Sequence, residues 1–205
     1  MRINLPNQIT IARLLMAIVF FACLAQFDAR RAEPRLWLLD VSAALFIVAG
    51  LTDIVDGYLA RKQNQETSFG RVLDPFVDKM LIIGAYILLA GEGFVDRDGL
   101  KVSDVAGWMV VVILGRELLV TSLRGVTEAS GQSFGATVYG KVKMFLQSLT
   151  VGWVLLTLAH PGAPAFFAAC RPFLVYLTVV VTLVSVLPYL RMARGVLMQT
   201  SVATS

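Results

Sequence analysis

The chain has 205 residues, of which 57% are hydrophobic and 16% charged, with a mean hydropathy of +0.74. An average soluble domain carries about 25% charged residues, so this composition excludes an ordinary soluble domain and predicts one membrane domain over residues 1–205. The net charge of +4 indicates basic residues at one membrane face and around anionic substrate groups. The chain lacks the interleaved basic and aromatic residues typical of RNA-binding proteins, so no nucleic-acid partner is predicted.

Six apolar segments approach the length of about 20 residues that a membrane-crossing helix needs. In chain order they are residues 13–27, 36–59, 73–89, 105–122, 142–160 and 166–187. The connections between them are short, and no linker separates a second domain. The sequence therefore predicts an all-α, polytopic membrane protein with six transmembrane helices.

The distribution of basic residues predicts the orientation of these helices. Most of the eighteen Lys and Arg residues fall on the membrane face that holds both termini and the connection at 61–71. Cytoplasmic loops carry an excess of Lys and Arg. We therefore expect this face, and any site on it, to lie on the cytoplasmic side of a bacterial inner membrane.

The end of the second segment carries an acidic helix face. Asp53, Asp56, Gly57 and Ala60 follow one another at i, i+3, i+4 and i+7, a spacing that places them on one side of a helix. The small residues leave room for a ligand beside the carboxylates. Arg61, one residue further on, is placed to reach a phosphate group.

The third segment begins with a matching face, in which Gly70, Asp74 and Asp78 follow at i, i+4 and i+8. Buried carboxylates in a membrane helix are costly, and several close together repel one another. Divalent cations offset that charge, and Mg²⁺ or Mn²⁺ prefers such hard oxygen ligands. The two faces therefore predict a pair of metal ions of the kind that promotes displacement at phosphorus.

These residues resemble the signature of the CDP-alcohol phosphatidyltransferase family, D-x2-D-G-x2-A-R-x8-G-x3-D-x3-D. The match has no departure, and its residues are Asp53, Asp56, Gly57, Ala60, Arg61, Gly70, Asp74 and Asp78. The resemblance implies six transmembrane helices around a cytoplasm-facing cavity, usually in a homodimer. It also implies an enzyme that transfers the phosphatidyl group of CDP-diacylglycerol to an alcohol and releases CMP.

The resemblance also implies roles for the motif residues. The first three aspartates would bind one Mg²⁺ or Mn²⁺ ion, and the first, third and fourth would bind a second one. Asp78 would also be the general base toward the acceptor hydroxyl. The residues implied to bind the CDP-lipid are Asp53, Gly57, Ala60, Arg61 and Gly70.

Further matches are similar to family members that use glycerol 3-phosphate as the acceptor. The candidate acceptor-binding residues are Arg116, Arg124, Lys141, Lys143, Thr10 and Arg13. The basic residues independently favour an anionic acceptor, because charge inside a membrane helix is costly without a function or a partner. Met144 departs from the threonine expected after Lys143, which affects the expected shape of the acceptor site.

Other functions remain open at the level of sequence. The same chemistry with inositol phosphate, serine or phosphatidylglycerol as the acceptor would use the same motif. A divalent-cation transporter would use the aspartates as a transit site, although only Asp40 continues a carboxylate path toward the far membrane face. An assembly subunit would not explain why the aspartates share helix faces.

Overall fold

Six α-helices dominate the computed structural model, which describes residues 5–63, 68–129 and 138–191, with side chains described for 8–52, 73–128 and 138–191. The helices are α1 (Leu5–Gln26), α2 (Trp37–Gln63), α3 (Ser68–Leu89), α4 (Gly107–Ala129), α5 (Val138–Ala159) and α6 (Ala165–Val184). Across these ranges there is no β-strand, only an isolated bridge between Val95 and Lys101. The all-α prediction is confirmed.

Three helical stretches in the described part of the chain are long and apolar enough to cross a membrane. They are Gln8–Gln26, Val138–Ala159 and Ala165–Arg191, and Trp37–Thr52 is a shorter apolar stretch. Helix α4 carries four charged residues along its length, Arg116, Glu117, Arg124 and Glu128. These helices make the chain an integral membrane protein, with charge concentrated in particular helices.

Several helices extend further than the apolar segments predicted. Helix α2 continues to Gln63 instead of residue 59, and α3 begins at Ser68 instead of residue 73. Helix α1 begins at Leu5, eight residues before the predicted apolar segment and two before Asn7, to which that segment can be extended. The difference arises because an apolar segment ends at the first polar residues, whereas the hydrogen bonding of the helix backbone continues through them into the membrane interface.

The packing order of the helices differs from their order in the sequence. Helix α1 packs against α2 and α3, and α2 packs against α5. Helix α5 packs against α6, α6 packs against α4, and α4 packs against α3, which closes a ring. Helix α3 also contacts α5 across this ring. The arrangement leaves α3 facing both α4 and α5, and the charged residues of these three helices meet there.

The apolar core fills the half of the bundle away from the aspartates of α3. Its largest fully buried members include Phe20, Tyr86, Met109 and Leu155. The Phe20 and Phe46 rings pack with centroids 5.7 Å apart and join α1 to α2. Dense packing at this end fixes the helix positions that present the polar residues at the other end.

Hydrogen bonds hold the connection between α3 and α4 in place, at the face of the bundle opposite Asp74 and Asp78. The Ser103 hydroxyl donates to the Leu89 carbonyl at 2.6 Å. Arg171 at the start of α6 donates to Asp104 at 2.6 Å, and Asp104 has a left-handed φ of 58°. Asp40 and His160 also lie at this face, with Nδ1 and Oδ1 3.7 Å apart and both side chains exposed.

Candidate active site

The four motif aspartates divide between two helices that are consecutive in the chain. Asp53 and Asp56 belong to the final turns of α2, and Asp74 and Asp78 belong to the first half of α3. The predicted site residues that lie outside the described side-chain ranges are Asp53, Asp56, Gly57, Ala60, Arg61 and Gly70. The roles given to these six stay predictions.

The two described aspartates receive hydrogen bonds from α1. The Thr10 hydroxyl donates to Asp74 Oδ1 at 2.5 Å, and Arg13 Nη1 donates to Asp78 Oδ1 at 3.0 Å. Thr10 and Arg13 are 1% and 0% exposed, whereas the Asp78 side chain is 24% exposed, so the donors are buried and the carboxylate remains accessible. The sequence placed both residues in the acceptor set, and the structure brings them to the aspartates.

The chemistry of the described donor set fits a hard divalent cation. Asp74 and Asp78 are one helical turn apart on α3 and line the same cavity, and carboxylate oxygens are the ligands that Mg²⁺ and Mn²⁺ prefer. No three His, Cys, Asp or Glu side chains come together within the described ranges. Asp53 and Asp56 would complete the set from α2, and their side chains are outside those ranges.

A cavity of about 330 Å³ lies between α3, α4 and α5. Asp74, Asp78 and Lys79 line it from α3, and Glu117 and Arg124 line it from α4. Helix α5 contributes its remaining polar lining, Lys143 and Gln147. The cavity therefore has an acidic wall on one helix and a largely basic wall on the other two, with space between them for a small polar molecule.

The basic wall is organised around one carboxylate. Glu117 Oε1 accepts a hydrogen bond from Arg116 Nη1 at 2.9 Å and is also ion-paired with Lys143 Nζ. Arg116 Nε donates to the Ser185 hydroxyl of the α6 end at 2.9 Å. The side chains of Arg116, Glu117 and Lys143 are all at least 90% buried. The single negative charge of Glu117 offsets only part of the positive charge of the other two.

Tyr189 completes the same wall, and no sequence motif indicated this residue. The residue is 2% exposed, and its hydroxyl accepts a hydrogen bond from Arg124 Nη2 at 3.0 Å. The guanidinium carbons of Arg124 and Arg116 lie 5.4 and 5.7 Å from the centre of its ring. The available signal was a tyrosine near the end of an apolar span, where a buried hydroxyl requires a polar partner.

The basic wall retains unused hydrogen-bonding capacity. Arg116 Nη2 and Arg124 Nε are buried N–H groups that have no hydrogen-bond partner among the described residues. A buried donor without a partner is destabilising, and a guanidinium pairs well with phosphate. Of the acceptor-binding residues predicted on α4 and α5, two do not line the cavity: Lys141, which is exposed, and Arg116, which is buried against Glu117.

A second, apolar cavity of about 550 Å³ opens between α2, α3 and α5. Its lining is mainly aliphatic and aromatic, and includes Phe46 and Leu149. Three residues, Asp78, Ile82 and Met144, line both this groove and the polar cavity. Met144, which departs from the expected threonine, therefore lies at the junction of an apolar space with a polar one.

The sequence is similar to bacterial enzymes of phospholipid synthesis. The profile of the CDP-alcohol phosphatidyltransferase family matches residues 3–188. A Bacillus subtilis relative named CDP-diacylglycerol–glycerol-3-phosphate 3-phosphatidyltransferase is 41% identical over 158 residues, which cover 75% of this chain and 77% of the relative. A relative of the same name from Salmonella paratyphi A is 31% identical over 205 residues, which cover 95% of this chain and 97% of the relative.

A further relative, from Mycobacterium tuberculosis, is named as a probable phosphatidylglycerophosphate synthase. It is 37% identical over 158 residues, and the match covers 77% of this chain and 68% of the relative. The three relatives thus carry two related names, and the aligned segments cover most of each sequence.

Proposed function

Because this chain belongs to the CDP-alcohol phosphatidyltransferase family, we propose that it transfers the phosphatidyl group of CDP-diacylglycerol to glycerol 3-phosphate. The products are phosphatidylglycerophosphate and CMP. The chain is a membrane-embedded phosphatidyltransferase of phospholipid biosynthesis, and the names of its relatives in Bacillus and Salmonella support this acceptor.

The observation that carries the proposal is the position of Asp78. This residue lines both the polar cavity and the apolar groove. A lipid donor and a water-soluble acceptor must meet at one point, with acyl chains in apolar surroundings and polar groups in a polar space. The proposed donor therefore places its acyl chains in the groove at Phe46 and Leu149, with its diphosphate toward α3.

The charge of the basic wall supports a phosphorylated acceptor. Glu117 offsets only one of the three positive charges of Arg116, Arg124 and Lys143, and two buried guanidinium N–H groups lack partners within the described wall. A phosphate monoester supplies negative charge and several acceptor oxygens. An uncharged alcohol or zwitterionic serine would leave more of this capacity unused, which favours glycerol 3-phosphate over serine.

The proposed reaction is a direct displacement at phosphorus. The acceptor hydroxyl oxygen bonds to the lipid-bearing β-phosphorus, the bond from that phosphorus to the bridging oxygen breaks, and CMP leaves with that oxygen. Asp78 takes the hydroxyl proton as general base. Arg13 holds Asp78 by its Oδ1 at 3.0 Å, while Lys143 and Arg124 orient the acceptor through its phosphate.

Two divalent cations, Mg²⁺ or Mn²⁺, belong to the proposed site, with Asp53, Asp56, Asp74 and Asp78 as ligands. When bound, they would supply positive charge to the diphosphate and to the departing CMP oxygen. Thr10 would orient Asp74 through its 2.5 Å hydrogen bond. Gly57, Ala60, Arg61 and Gly70 would bind the cytidine and diphosphate, in keeping with the family motif.

The proposed assembly is a single membrane domain with all six helices crossing the bacterial inner membrane. The cavity would face the cytoplasm, which is where a soluble acceptor is available and where basic residues accumulate. A homodimer is proposed from the family resemblance. These statements concern topology and assembly, and the chemistry of the site does not depend on them.

The acceptor can be tested with purified protein, CDP-diacylglycerol and a panel of alcohols, with CMP release and the lipid product both measured. Glycerol 3-phosphate should support the fastest turnover, only when Mg²⁺ or Mn²⁺ is present, and glycerol, serine, inositol phosphate and phosphatidylglycerol should support little. Faster turnover with another alcohol would replace the proposed acceptor. Absence of CMP release with every alcohol would remove the proposed function.

A further inference from the structure

Tyr189 connects the two arginines of the basic wall. Its hydroxyl accepts a hydrogen bond from Arg124 Nη2 at 3.0 Å, and its ring lies within 6 Å of both guanidinium carbons. Tyr189 is 2% exposed and lies near the end of α6, whereas both arginines belong to α4. The contact therefore joins a buried residue of one helix to two cations of another.

We infer that Tyr189 is a positioning residue that fixes Arg124 for the phosphate of the acceptor. This inference rests on the proposed function and names a residue that recognises the acceptor indirectly. Arg124 lines the cavity, whereas Tyr189 does not, so the tyrosine acts through the arginine. Arg116, which contacts the same ring, is fixed independently by Ser185 and Glu117.

The physical basis is preorganisation. A long arginine side chain loses rotamer freedom when it binds a ligand, and that loss weakens binding unless the side chain is already fixed. The hydroxyl accepts a hydrogen bond from Nη2 and the ring centre lies 5.4 Å from the guanidinium carbon, while Nε is buried without a partner in the described wall. Because a guanidinium fork has fixed geometry, the remaining N–H groups are presented in one orientation.

Tyr189→Phe removes the hydroxyl and keeps the ring, so it tests the fixation of Arg124 with little change in volume. The matched control is Tyr86→Phe. Tyr86 is also buried, at 1% exposure, and its hydroxyl donates to the Gln147 carbonyl at 3.2 Å. Each variant loses one buried tyrosine hydroxyl, and only the first loses a contact with an arginine of the cavity.

Tyr189→Phe should raise the KM for glycerol 3-phosphate by roughly three- to tenfold, the effect of one hydrogen bond on binding. The kcat and the KM for CDP-diacylglycerol should stay within about twofold, because the lost interaction is equal in ground and transition states. Calorimetric binding of glycerol 3-phosphate should weaken by the same factor. Tyr86→Phe should leave acceptor binding unchanged.

Combination with Arg124→Gln identifies the route of the effect. If Tyr189 acts through Arg124, adding Tyr189→Phe to Arg124→Gln should change the KM no further. Equal KM values for wild type and Tyr189→Phe would overturn the inference, as would equal effects of the two tyrosine variants. Should Tyr189→Phe fail to fold, Arg124→Lys must raise the KM similarly, because an ammonium cannot reproduce the fixed fork; an unchanged KM there overturns it.

The proposed function and this inference fail separately. If wild-type protein does not use glycerol 3-phosphate, the proposed function is lost before any variant is compared. If wild-type protein uses it and the tyrosine variant retains its KM, only the role of Tyr189 is lost.

Discussion

Arg13 is a cation beside the aspartates of the cavity region, and Glu117 is an anion among its basic residues. Arg13 lies against Asp78 at the acidic side, and Glu117 lies between Arg116 and Lys143 at the basic side. Each offsets part of the excess charge of its own wall and fixes the neighbouring side chains. Among the described groups, Lys79 and Arg13 together offset the two α3 carboxylates, whereas α4 and α5 keep an excess of positive charge that suits an acceptor phosphate.

Glu117→Gln should destabilise the protein, because it leaves Arg116 and Lys143 buried without their carboxylate. Removal of one partner from a buried ion pair costs about 3–5 kcal/mol. A phosphate bound in the cavity would replace part of the missing charge. Added glycerol 3-phosphate should therefore raise the Tm of Glu117→Gln by more than it raises the Tm of wild-type protein.

The control for this experiment is Glu128→Gln, an exposed residue of the same helix. Its Tm should differ little from wild type, and glycerol 3-phosphate should stabilise both equally. An equal stabilisation of Glu117→Gln and wild type would show that the acceptor does not compensate for the lost carboxylate.

The sequence predicted the individual site residues unevenly. The aspartates were predicted because their spacing places them on helix faces and charge inside a membrane requires a function, and their roles stay predictions. Arg116, Arg124 and Lys143 were predicted by the same reasoning, and the structure brings them together around Glu117 and Tyr189. Tyr189 was missed because its significance lies in contacts with residues 65 and more positions away, which no local pattern contains.

At the scale of helices, polar contacts join α5 to α6 beneath the cavity. The Thr150 and Thr178 hydroxyls lie 2.7 Å apart, and Gln147 Nε2 donates to the Thr182 hydroxyl at 3.1 Å. All four residues are buried. Hydrogen bonds between membrane helices contribute modestly but orient the helices relative to one another, and Gln147 also lines the cavity.

Thr178→Val should lower the free energy of unfolding by about 0.6 kcal/mol, a typical value for such a contact in a membrane protein. The double variant with Thr150→Val should cost less than the sum of the two single variants, because it leaves neither hydroxyl without its partner. Unfolding in a denaturing detergent would measure these differences. Strict additivity would contradict the proposed coupling.

The end of α1 constrains the connection between α3 and α4 through a glycine. A Cβ atom at Gly93 would lie 2.4 Å from the Phe27 carbonyl oxygen, which is backbone and cannot rotate away. Gly93→Ala should therefore destabilise the protein by about 1–3 kcal/mol, measured as a lower Tm. Gly107→Ala, at a position with no neighbour within 4 Å, is the control and should have little effect.

Helix number and order could be predicted from the sequence, whereas packing could not. Apolar length indicated six segments, and all six correspond to helices. The bounds were less accurate because helices such as α3 continue through polar residues. The contact of α3 with α5 and of α4 with α6 depends on complementary surfaces of elements distant in sequence, so the set of residues that lines the cavity could not be predicted from the sequence.

Across the whole molecule, the apolar core and the polar cavity lie at different ends of the helix bundle. Most of the fully buried aromatic and aliphatic side chains lie in one continuous core, while the charged cavity and the apolar groove meet beside Asp78. A rigid bundle end thus supports a site open to two kinds of substrate. The central claim is that Asp78, at this meeting point, removes the acceptor proton without being needed to bind the acceptor.

Comparison of Asp78→Asn with wild-type protein tests that claim most directly, with glycerol 3-phosphate binding and CMP release measured on the same preparations. Asp98→Asn, an exposed residue on the opposite face, serves as the control and should match wild type. Asp78→Asn should bind glycerol 3-phosphate with a Kd close to that of wild type and release CMP at least about a hundredfold more slowly, as loss of a general base predicts. Wild-type rates of CMP release from Asp78→Asn would contradict the account.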